Sequence, residues 1–94
     1  MPALADAKQH LRVEHALDDD LIQRLIDAAL AEYVQFTGLT GDAVPATADA
    51  VPADAFNGLI LIVQAGYDGD PEKRDRYRRA AETLWQPYRT DMGV

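Results

Sequence analysis

Residues 18–38 read DDDLIQRLIDAALAEYVQFTG. Ile22, Leu25, Ile26, Ala29, Tyr33 and Phe36 recur in steps of three and four, the interval that places side chains on one face of an α-helix. Gln23, Arg24, Asp27 and Glu32 fall mostly off that stripe. Gly38 follows Thr37, where a left-handed residue ends a helix well. The pattern predicts a helix over residues 19–37. Asp18, Asp19 and Asp20 at its head suit N-capping: an Asp side chain accepts from free N–H groups, and its charge favours the helix N-terminus.

Upstream, Leu4, Ala7 and Leu11 share a helical spacing, with Lys8 and Arg12 on another side, which predicts a short helix over residues 4–13. A helix this short must pack on something to persist. Downstream, residues 38–51 (GLTGDAVPATADAV) lose all periodicity, and their glycines, proline and small residues predict an exposed, flexible loop. Pro52 fits the first turn of a third helix reaching Tyr67. Its run LILIV at 59–63 also suits a buried strand, but length and the proline start favour a central helix. Gly58 and Gly66 cost that helix stability, so they point to close packing or an early end. Asp70, Pro71 and Glu72 form a start signal for a fourth helix. There Tyr77, Ala80, Ala81, Leu84, Trp85 and Tyr88 make the apolar stripe, and Pro87 ends the helix near Trp85. The expected fold is all-α: one domain over residues 1–94, about four helices, a long loop at 39–51 and a tail at 86–94.

Composition narrows the function. Ninety-four residues suit one domain, and 48% hydrophobic content is enough for a core but only a marginal one. The absence of cysteine excludes a disulfide scaffold and thiolate chemistry, and fits a reducing compartment. The N-terminal MPALADAKQHL has no apolar signal region, and LILIV is far too short for a bilayer, so no membrane role is expected. The net charge of −7 argues against a phosphate-binding groove. It is unevenly spread: residues 33–70 hold five acids and no base, while residues 71–90 hold six bases and three acids. An acidic body ending in a basic segment suits head-to-tail contact between copies.

No catalytic or cofactor-binding residue is expected. There is no serine or cysteine nucleophile, no partnered threonine and no glycine-rich phosphate loop. His10 and His15 are five apart and share no helical face, and DDD lacks the spacing of a calcium loop, so no metal site is expected. YDGDPEKRD, with Pro71 and Lys73 at ligand positions, reads as a turn and a cap. The basic run KRDRYRR at 73–79 is a solvated face, a protein interface or a nucleic-acid face. Trp85, Tyr88 and Arg89 in LWQPYR either close the core or anchor a partner. The interface candidates are Arg74, Arg78, Arg79, Tyr88 and Arg89, with the loop as a second surface.

ALADAKQHLRVEHALDDDLIQRLIDAALAEYVQFTG at 3–38 resembles the N-terminal signature of phage head–tail connector (adaptor) proteins of tailed double-stranded DNA phages. The matching features are Leu11-Arg12-Val13, the acidic stretch Asp18 to Asp20, and an ending at Phe36-Thr37-Gly38. A variable loop, an apolar helix ending at Tyr67 and a late Pro87-Tyr88-Arg89 follow in family order. Family members often carry Asn-Arg after the aromatic of the third helix; Asp68-Gly69 stand here, so no role of that arginine transfers.

The resemblance implies a non-enzymatic subunit of a phage or prophage virion, placed at the head–tail junction and made in the bacterial host cytoplasm. Its implied partners are other copies in a ring, twelve-fold in the particle, the portal protein, a tail or stopper protein, and double-stranded DNA that passes without specific binding. The competing reading is a small helical DNA-binding or regulatory module using the basic fourth helix.

Overall fold

The structure is a computed structural model, and it describes residues 3–14 and 16–89. Among these residues the chain forms helices α1 (Ala3–Leu11), α2 (Asp19–Thr37), α3 (Ala53–Asp68) and α4 (Pro71–Trp85), with short 3-10 turns and no strand. The all-α expectation holds. His15 and residues 90–94, the end of the expected tail, lie outside the described residues.

The ends of the helices follow from local chemistry. α2 and α3 stop at Gly38 and Gly69, both left-handed, whose N–H groups donate to Val34 and Ala65 carbonyls. α4 begins as its sequence predicts: Asp70 accepts from the Glu72 N–H at 3.0 Å, and Pro71 fills the first helical position. The first helix differs, ending at Leu11 rather than Val13. Arg12 turns left-handed at φ 61°, and the Val13 N–H reaches back to the Lys8 carbonyl at 2.9 Å, while the Arg12 N–H reaches Gln9. This is a Schellman closure made without glycine, and it takes Arg12 off the helix.

The capping role expected of the aspartates is also corrected. Asp18 occupies the N-cap of α2, but its side chain caps nothing. It accepts instead from the Tyr67 hydroxyl at 2.7 Å, across 49 positions of sequence. Asp19 turns back to Lys8 on α1, N to O 2.6 Å. The acidic stretch therefore ties the start of α2 to two other helices.

α3 is the central helix and packs on each of the others, most extensively on α4. Leu59, Ile60 and Val63 are buried on it. Ile22, Ile26, Ala29 and Tyr33 supply the buried stripe of α2, and Ala3 and Ala7 that of α1. Both helix glycines serve close approach: a Cβ at Gly58 would run into the Trp85 indole, and one at Gly66 would lie 2.7 Å from Leu25 Cδ2. Trp85 is the keystone of this side. Its ring is buried, its Nε1–H donates to the Ala55 carbonyl at 2.9 Å, and Tyr33 meets it edge-on at 5.5 Å.

Two expectations about surface differ. Ala80 lies on the expected stripe of α4 but is exposed, because only Ala81 and Trp85 of this helix reach full burial. The loop expected to be open carries 3-10 turns at Gly41–Ala43 and Ala48–Ala50, and Ala48 and Val51 are buried. The Asp49 carboxylate accepts from the Ala3 N–H, fastening the loop to α1.

Candidate assembly surfaces

The five interface candidates fall into two groups. Tyr88 and Arg89 fold back onto the body through the 3-10 turn Gln86–Tyr88. The Tyr88 hydroxyl donates to Asp54 Oδ1 at the start of α3. The Arg89 guanidinium sits over the Phe36 ring, 4.9 Å from its centre. The Tyr88 ring meets Tyr33 at 6.4 Å. The family-like Pro-Tyr-Arg ending thus clasps the ends of α2 and α3 rather than projecting outward.

This clasp shifts its own ionisations. The hydrogen bond from Tyr88 holds the Asp54 carboxyl below its ordinary range, and the same bond, first among the causes, pushes the Tyr88 hydroxyl up. Burial, aided by the Asp54 charge, pushes the Tyr33 phenol up. At the other end of α3, the hydrogen bond to Asp18 raises Tyr67.

The arginines of α4 form the second group. Arg78 pairs with Glu32 of α2, N to O 3.2 Å, at an exposed site. Arg74 and Arg79 are exposed and have no ion-pair partner among the described residues. Lys73 and Arg76 share that state. Lys73, Arg76, Arg79 and Thr83 recur at helical spacing along the outside of α4, and Glu72 and Ala80 lie on the same exposed face, so this stripe carries three bases and one acid. The basic run announces Lys73 and Arg76 in the sequence, and every charged member of it is exposed in the fold.

A further surface has no signal in the sequence. Between α1, the Ala48–Ala50 turn and the first half of α3 lies a groove of about 720 Å³. Val51, Phe56, Ile60 and Leu61 make its apolar floor, and Asp6 and Asp49 stand among its polar lining residues. No lysine or arginine lines it. At its edge the His10 Nε2 lies 2.6 Å from Gln64 Oε1, so this histidine joins α1 to α3.

Among the described residues, no three His, Asp or Glu side chains gather where they could hold a metal ion, and no helix is long and apolar enough to cross a membrane. No curated protein and no solved structure matches the chain. The sequence pattern of the phage gp6-like head-tail connector proteins matches residues 1–84, which takes in α1, α2, α3 and nearly all of α4. With the acidic junction, the Phe-Thr-Gly helix end and the four-helix order in place, the chain belongs to the phage gp6-like head-tail connector family.

Proposed function

We propose that this chain is a non-enzymatic structural subunit whose copies form a ring, twelve-fold in the particle, between the portal and a tail or stopper protein. The ring extends the channel through which double-stranded DNA passes. Residues 1–94 act as one domain in this reading, and assembly takes place in the host cytoplasm.

The observation that carries the reading is the polarity of the chain. Residues 1–70 hold twelve acids against three bases, while Lys73, Arg74, Arg76 and Arg79 on α4 have no ion-pair partner among the described residues. Opposite charge on separate faces of one subunit favours head-to-tail contact, which closes into a ring when the rotation permits. An acidic lumen gives DNA no phosphate-neutralising sites to stick to. Arg74, Arg78 and Arg79 then belong to the contact between copies, and Tyr88 and Arg89 shape the end of the subunit that meets a neighbour.

The test is sizing with light scattering over a concentration series, with and without portal protein, followed by negative-stain imaging. Rings are expected. A strict monomer in both settings contradicts the proposal. If α4 instead binds nucleic acid, the same protein retains DNA in a salt-sensitive way that Arg74→Ala, Arg78→Ala and Arg79→Ala together abolish.

A further inference from the structure

We infer that the groove between α1, the Ala48–Ala50 turn and α3 is the docking site for the outer face of α4 of a second copy of this chain. The inference rests on the ring reading and names the two surfaces that meet. The charges are complementary. The groove has Asp6 and Asp49 in its lining and neither lysine nor arginine, and the outer face of α4 offers Lys73, Arg76 and Arg79, without ion-pair partners among the described residues, against the single acid Glu72.

The shapes and chemistry agree. The floor of Val51, Phe56, Ile60 and Leu61 is apolar, so it suits long side chains with apolar stems and charged heads. Arginine and lysine are such side chains, and the ring of Phe56 adds a face on which a guanidinium can stack. Ala80 and Thr83, small and exposed beside the stripe, let α4 come close. The Thr83 hydroxyl already donates to the Arg79 carbonyl at 2.9 Å, so burying it leaves no unmet donor.

The placement suits a closed assembly. Gly58 is the point where α3 meets Trp85 of α4. Phe56 and Ile60 lie roughly 160° round the helix from it, so the groove opens on the side of α3 turned away from its own α4. A chain cannot fill its own groove this way, and each copy offers one groove and one stripe. That is a heterologous contact. Of the other exposed large apolar side chains, Leu17, Leu21 and Val44, the most exposed is Leu17 at 88%, but it sits beside Asp18 and Asp20, which an acidic groove repels.

A charge swap tests the contact. One variant, Asp6→Lys/Asn57→Lys, makes the groove basic; the other, Arg76→Glu/Arg79→Glu, makes the stripe acidic. Alone, each opposes like to like, and assembly is expected to need at least about tenfold more protein. Mixed in equal amounts, each stripe finds a groove of opposite sign, and assembly returns. If the groove variant does not fold, as judged by circular dichroism, the exposed Asn57→Lys alone takes its place. A mixture no better than its components, or single variants that assemble like wild type, overturns the inference. In that event wild-type rings still leave the ring reading standing, whereas a wild-type monomer with and without portal overturns both.

Discussion

Arg12 shows how one residue sets the geometry of the N-terminal half. It holds a left-handed conformation that costs an L-residue roughly 1–2 kcal/mol, and the two hydrogen bonds of the Schellman closure offset that cost. Arg12→Gly removes the strain but frees the unfolded chain, so a net gain of up to about 1 kcal/mol in urea unfolding is expected. A loss of stability would mean the arginine side chain makes a contact that matters more than its backbone. The sequence hides this end of α1, because no glycine or proline marks the stop. The position of Asp18 at the head of α2 is legible from neighbouring residues. Its bond to Tyr67 is not, since nothing local announces a partner on α3.

Among the elements, α3 and α4 are joined by only two residues, Gly69 and Asp70, and Gly58 and Trp85 set how closely they lie. Gly58→Ala drives a methyl into the indole and is expected to cost about 1–3 kcal/mol, with a change in Trp85 fluorescence. Unchanged fluorescence and stability would mean the helices are farther apart than described. The clasp of Tyr88 on Asp54 predicts a pH window. The Asp54 carboxyl is depressed, so its contribution is present at neutral pH and lost as pH falls through its folded value, below about 4. The Tyr88 hydroxyl is raised, so its contribution is lost as pH rises through its folded value, above about 10. Trp85 emission should be flat between these limits, and Asp54→Asn should remove the acid limb. The starts of α3 and α4 and the ends of α2 and α3 were legible because proline, aspartate and glycine act locally. The exposure of Ala80 was not, because a helical stripe does not reveal how much of it a neighbour will cover.

At the scale of the molecule, the chain is a flattened body with principal extents of 45 × 30 × 17 Å. A flattened body of this size buries a modest core and leaves broad faces, which suits a subunit completed by its neighbours. The all-α class, the family order of its features and the charge polarity were all readable in advance. The groove was not, because it exists only where α1, the Ala48–Ala50 turn and α3 converge, and the loop gave no sign of packing there. We propose that copies of this chain form the ring that continues the DNA channel from portal to tail. A cryo-electron microscopy reconstruction of the head–tail junction in particles containing this protein tests it directly. The expected result is a ring of α-helical subunits between portal and tail, acidic toward the channel, with the Lys73, Arg76 and Arg79 face of α4 against a neighbouring copy. A junction without this chain, or a ring with Lys73, Arg76 and Arg79 lining the channel, would contradict it.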